Sequence, residues 1–283
     1  MENFNELYSD SEYEKPSVTV DAVIFRLVDK QSKNYRKLPE KKLQVYLTKR
    51  GYAPYKDFYS IVGTFIDLKL ELAESLKMCV LKKVELENYY YEQLFTFGTP
   101  GRDPRDRIIS VSYMLLTNQE TKINGGEWFD IDITTQNIKN EKTSSGYVIT
   151  KEYKIVFSNE NTSLESVIEV DISKSNLEET KNISIKSTDL AFDHAKIIFY
   201  ALERLKNKLE YTDIIFNLLP KEFTLTELKN SYEVILGQKL LDANFRRKTS
   251  KLVAPTSNYV TGKGHRSSQL FTHDHSWNMI DID

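Results

Sequence analysis

The chain has 283 residues, of which 40% are hydrophobic and 12% aromatic; this length suits two domains, and the composition excludes a largely disordered polymer. The longest nearly uncharged apolar runs, residues 18–25 and 111–116, fall far below the roughly 18 residues of a membrane-spanning helix, and the acidic start MENFNELYSDSEYEK lacks the pattern of a secretory signal. The net charge of −2 gives no global attraction to polyanions, and a single cysteine, Cys79, rules out an intramolecular disulfide, so a reducing, cytoplasmic setting is expected.

From residue 17, SVTVDAVIFRLV is dense in β-branched residues, and KLQVYLTKR follows a lysine-rich loop, so both read as strands. GYAPYKDFYSIVGTF turns and reaches Gly63, after which Leu72, Leu76, Cys79, Val80 and Val84 recur at helical spacing. Cys79 falls on the apolar side of that helix and reads as a buried small hydrophobe. YYYEQLFTFG then reads as a strand, TPGRDPRDR as a loop and IISVSYMLLT as a buried strand. Between about residues 118 and 188, short β-branched segments such as YVITKEYKIVF, SVIEVDI and NISIKS alternate with polar turns.

The texture changes at Thr188, where a domain boundary is expected: residues 1–187 form one unit and residues 188–283 another. Leu190, Ala195, Ile198, Leu202, Leu205 and Leu209 lie on one face of a helix of about five turns. Thr224 and Glu227 have capping-box spacing for the next helix, and Gly237 stops it. Asp242 is placed to cap a third helix, DANFRRKTSKL, with Phe245 and Leu252 facing inward. SNYVTGKGHRSSQLFTHD reads as two short strands around a Gly-Lys-Gly turn. Helix, helix, helix, hairpin is the order of a winged helix-turn-helix.

Residues 238–270 hold seven basic residues against one acidic residue, a local excess that suits DNA despite the neutral whole. Asn244, Arg246, Arg247, Lys248 and Lys251 on the third helix combine base readers with phosphate-binding charges, and Lys263, His265 and Arg266 extend the set into the hairpin. A solvated basic face is the plainer reading of the same residues. His273 and His275 read as a frayed polar tail rather than metal ligands, and His194 as a packing residue.

The run IVGTFIDLKLELAESLKMCVLKKVEL resembles a Nudix box, G-x5-E-x7-R-E-U-x-E-E-x-G-U, and EQLFTFGTPGRDPRDRIISVSYMLL is similar to the matching stretch of ADP-ribose-type Nudix proteins. Laid from Gly63 without gaps, the box puts Lys69 at the first glutamate, Lys77 at the arginine, Met78 at the next glutamate, and Leu81 with Lys82 at the glutamate pair. A one-residue slide puts Lys82 and Lys83 there instead. Neither register gathers the carboxylates that magnesium needs at a diphosphate, so no efficient hydrolysis, no metal and no cofactor are expected.

A Nudix-like α/β/α sandwich followed by a winged helix resembles the NrtR family of Nudix-related transcriptional regulators, and the stretch from DHAKIIFYALERL to DANFRRK carries that likeness most distinctively. The resemblance implies a homodimeric regulator, usually a repressor of NAD metabolism or niacin uptake genes. It implies a palindromic operator and ADP-ribose or a related NAD metabolite as effector, with no membrane partner. It also makes Arg50, Arg102 and Asp103 candidates to hold the diphosphate or a ribose, and Gly63 a point of close backbone approach. Arg102 and Asp103 equally suit a loop-stabilising ion pair, and Arg50 a solvated surface. A divergent Nudix pyrophosphohydrolase acting on ADP-ribose is the alternative for the whole chain.

Overall fold

The computed structural model describes residues 15–30, 39–119, 125–144, 146–175, 178–260 and 267–276. Its centre is the pair β1 (Ser17–Lys30) and β2 (Glu40–Lys49), with β3 (Tyr59–Ser60) and β4 (Val62–Phe65) laid against them. Helix α1 (Leu72–Val84) follows, then β5 (Tyr90–Phe97) and β6 (Ile108–Leu116), and β6 pairs with β1 in parallel. A ribbon of β7 (Glu127–Lys142), β8 (Gly146–Ser158), β9 (Ser163–Ser175) and β10 (Glu179–Thr188) extends the sheet beyond β2, giving the order β10-β9-β8-β7-β2-β1-β6-β5.

Residue alternation along β1 explains the layering. Val20, Ala22 and Ile24 point into a core shared with Leu76, Cys79 and Val80 of α1, whereas Val23 and Phe25 point into a second core with Ile198, Leu202 and Leu205 of α2 (His194–Lys208). A central strand covered on both faces reads as one apolar run, as residues 18–25 do. The α/β/α sandwich expected from sequence is therefore present.

Beyond α2 come a 3-10 turn (Ile214–Leu218), α3 (Leu225–Leu236), α4 (Asp242–Thr249) and the hairpin β11 (Val253–Val260) with β12 (Ser268–His273). Phe223 and Phe271 exchange backbone hydrogen bonds of 3.0 and 2.8 Å, which ties the hairpin to the entry of α3.

Four expectations need correction. The segments after residue 118 are long ribbons of 10 to 16 residues, not short strands; charged and polar side chains fill their solvent face, so β7 in particular carries little apolar signal. Helix α2 starts at His194, because Ala191 N–H is already committed to Tyr59 C=O at 2.9 Å and Leu190 bridges β3. Asp242 is not the cap of α4: Leu241 holds that position, and Asp242 in the first turn pairs with Lys229 instead. His273 is no frayed tail residue, since it ends β12, stacks on Phe216 with ring centroids 4.1 Å apart and faces Asp213 at 3.2 Å.

Candidate functional site

A cleft of about 570 Å³ opens where the end of β2, the turn into β4, the loop 98–107 and the entry of α2 converge. Arg50, Gly63, Arg102 and Asp103 all line it, so the structure brings the four sequence-derived ligand candidates together. Gly63 is there because nothing larger fits: a Cβ would stand 1.8 Å from Asp21 Oδ1 and 3.1 Å from the Val20 carbonyl. Asp21 itself is buried and accepts from Thr19 Oγ1 at 3.1 Å and from Ser110 Oγ.

The arginines differ in how far the protein already uses them. Arg102 donates Nε and Nη2 to the two carboxylate oxygens of Asp193 at 2.9 and 2.6 Å, and its side chain is only 5% exposed. It does not pair with Asp103, as the loop-stabilising alternative had it. Asp103 is taken by Arg105, through Nε and Nη2 at 3.0 and 2.7 Å and the backbone N–H at 3.0 Å. Burial alone would raise the Asp103 carboxyl, but these donated bonds outweigh it and hold the group below its usual range.

Arg50 is not a solvated surface residue. Its Nε donates to Pro54 C=O at 3.0 Å, its guanidinium lies 4.7 Å from the Phe192 ring centroid and 5.0 Å from that of Tyr52, and burial lowers its basicity. Its Nη2 is buried without a hydrogen-bond partner among the described residues, a cost that an anionic oxygen would relieve. The Arg105 guanidinium lies 5.5 Å from the same Phe192 ring centroid.

Asp21, Arg105, Phe192 and His194 also line this site and were missed as ligand-site candidates, and Asp193 supports it from behind as the partner of Arg102. Only Arg105 had a local signal, two residues after Asp103 in the same GRDPR run; the others converge from distant parts of the chain. His194 is a packing residue as expected, accepting the Ile61 N–H on Nδ1 at 3.2 Å, and burial holds its imidazole below the usual value.

Lys82 and Lys83 also line the cleft, and Lys83 Nζ donates to the Gly63 carbonyl. The face of α1 turned to the cleft thus presents ammonium groups. Among the described residues no three His, Cys, Asp or Glu side chains converge as a metal site would require. Glu71 and Glu74 are spent on the capping box of α1.

The second candidate surface is α4. Phe245 and Thr249 are buried, as is Leu252 just beyond, while Asn244, Arg246, Arg247, Lys248 and Lys251 are exposed. Residues 244, 247 and 248 recur at helical spacing on α4, so amide and cationic groups share one face, and Lys251 follows in the turn beyond it. The helix is oriented by Glu233 of α3, which accepts the Leu240 N–H at 2.9 Å and the Lys239 ammonium at 2.7 Å. Burial works against ionising Glu233, yet the Leu240 and Lys239 bonds keep its carboxyl below the usual range. The capping box of Thr224 and Glu227 and the left-handed stop at Gly237, φ 70°, stand as expected. Lys263, His265 and Arg266 lie outside the described residues.

Residues 215–272 match the model of the NrtR DNA-binding winged helix domain. Over 271 residues the chain is 30% identical to the ADPR responsive transcriptional repressor NtrR of Acinetobacter baylyi, covering 93% of this chain and 84% of that protein. Among solved structures, it resembles a MutT/nudix family protein from Enterococcus faecalis (TM-score 0.62, 22% identity, 96% of this chain and 91% of that one). It also resembles Shewanella oneidensis NrtR in a complex with a 27mer DNA (TM-score 0.59, 24% identity, 91% and 93%). Both structures support the fold: a Nudix-like sheet carrying a C-terminal winged helix.

Proposed function

The chain belongs to the NrtR family of Nudix-related transcriptional regulators, and from that membership we propose that it is a DNA-binding repressor controlled by ADP-ribose or a related NAD metabolite. The carrying observation is the exposed basic face of α4 on a helix whose opposite side is anchored by Phe245 and Thr249. Asn244 and Arg246 are the base readers, and Arg247, Lys248 and Lys251 the phosphate contacts, with Lys263 and Arg266 extending the reach of the hairpin. The target is a palindromic operator bound by a homodimer, whose half-sites lie about 34 Å apart on one face of the duplex. Genes of NAD metabolism or niacin uptake are the expected targets, and the protein works in the cytoplasm; no helix in the described residues is long and apolar enough to cross a membrane.

With the boundary at residues 187 and 188, residues 1–187 supply most of the sensing cleft, Phe192 and His194 complete it from the second unit, and residues 188–283 bind DNA, with α2 packed against both the sheet and α3. Arg50, Gly63, Arg102 and Asp103 belong to the sensing cleft. Ammonium groups on the cleft face of α1 disfavour a divalent cation where a Nudix enzyme holds one, which supports binding without hydrolysis.

Fluorescence anisotropy with duplex DNA from upstream of the gene's own neighbourhood tests the reading, with and without ADP-ribose. Arg246→Ala is expected to abolish specific binding and Arg247→Ala to weaken it, each with the thermal unfolding midpoint unchanged. Undiminished affinity in both variants refutes the DNA-binding face. Magnesium-dependent release of AMP from ADP-ribose at an ordinary enzymatic rate refutes the sensing role and favours a pyrophosphohydrolase.

A further inference from the structure

Three arginines line the cleft, but they differ in how far each is open to a ligand. Arg102 spends Nε and one Nη2 N–H on Asp193 in a bidentate pair, and its side chain is nearly sealed from solvent. Arg105 is bidentate to Asp103 but 38% exposed, so its remaining N–H groups are open to the cleft, and Arg50 keeps a buried Nη2 with no partner among the described residues. Both of these flank the Phe192 ring, at 5.5 and 4.7 Å. An anion drawn between them would bear directly on that ring.

Phe192 has φ 55°, a left-handed conformation uncommon for a bulky residue and held here by its surroundings. The next residue, Asp193, is the cap position of α2 and the partner of Arg102; His194 begins the helix. Helix α2 packs on α3, which in turn fixes α4 through Glu233. The cleft and the DNA-binding helices therefore share one element, α2, whose first residue His194 lines the cleft and whose cap position Asp193 holds Arg102.

Resting on the reading of this cleft as the effector site, we propose that Arg50 and Arg105 grip the effector's diphosphate across Phe192, while Arg102 with Asp193 is a positioning pair that passes occupancy of the cleft to α2. Arg102 does not touch the ligand. Its salt bridge ties the loop 98–107 to the start of α2, so movement of that loop toward a bound anion turns or shifts the helix. Coupling follows because the ligand favours one arrangement of loop and helix over the other.

Full-length protein is examined by two readouts: calorimetric titration with ADP-ribose, and operator affinity with and without ADP-ribose. Arg105→Gln is expected to weaken ADP-ribose binding about tenfold or more, the value of a lost charge-assisted contact. Asp193→Asn, nearly isosteric, keeps ADP-ribose affinity within about threefold but reduces a regulatory response of roughly fivefold or more to less than about twofold. Arg102→Lys, which retains the charge, restores part of that response and serves if Asp193→Asn fails to fold. Joint loss of binding and response in Asp193→Asn with a native unfolding midpoint, or an unaltered response, overturns the positioning role. Unweakened binding in Arg105→Gln overturns the grip. Failure of the wild-type protein to bind ADP-ribose at all overturns the effector reading itself, and this inference with it.

Discussion

His194 shows how one side chain can serve structure and set a pH limit at once. Its Nδ1 must stay unprotonated to accept the Ile61 N–H, and burial favours that neutral form by lowering the imidazole below 6.5. The unfolded chain therefore takes up a proton first as the pH falls through about 6.5, and stability is lost from there downward until the folded imidazole itself protonates. Partly buried His273 is depressed in the same direction and adds to the same window. Asp103 and Glu233, held below their usual range, act only in more acid solution, where falling pH protonates them and removes their bonds. Denaturant titrations between pH 7.5 and 5.5 should show stability falling by up to about 1.4 kcal/mol per pH unit for each such histidine. His194→Asn, which retains an acceptor without a titrating ring, should flatten the slope while His273's share remains. An unchanged slope would mean that His194 titrates alike in the folded and unfolded chains.

At the scale of elements, the α3 cap is a local contract between four consecutive residues. Thr224 Oγ1 accepts the Glu227 N–H at 3.1 Å, and Glu227 accepts the Thr224 N–H at 2.7 Å. Thr224→Ala should cost about 1 kcal/mol, whereas Asp242→Asn should move the unfolding midpoint less, because Leu241 and not Asp242 holds the cap position of α4. The reverse order by calorimetry would show that the α4 cap had been misassigned. This contrast also explains what was legible in the sequence. The α3 cap, the Gly237 stop and the buried pair Phe245 and Leu252 depend on short-range spacing, and all three stand in the structure. Strand β7 depends on pairing with β2 and β8, so its polar outer half gave no local sign. The cleft was half legible: the GRDPR loop and Gly63 announced themselves, while Asp21 and Phe192 reach it only through the sheet and the segment that leads into α2. The alternative of an Arg102–Asp103 ion pair named the wrong partner, since no spacing rule links residue 102 to residue 193.

For the whole molecule the question is how a chain of net charge −2 holds a polyanion. Its sheet and ribbon mix acids with bases in exposed pairs such as Lys154 with Glu165 and Lys174 with Glu179, which cancel over distances of a Debye length. The exposed face of α4 has no such internal compensation beyond Asp242, and Asp242 is occupied by Lys229 of α3. Attraction to DNA is therefore local and should be read from salt dependence, because each phosphate contact releases counterions and steepens the plot of log affinity against log salt by about 0.9. Arg247→Ala removes one such contact per protomer, so for a dimer on a palindrome the slope should become shallower by about 2. Lys139→Ala, on the exposed outer half of β7, should leave the slope unchanged. If both variants shift the slope equally, the protein is held by its overall field and not by α4; a shift of about 1 in Arg247→Ala alone would keep the α4 face and argue that a single protomer engages the DNA.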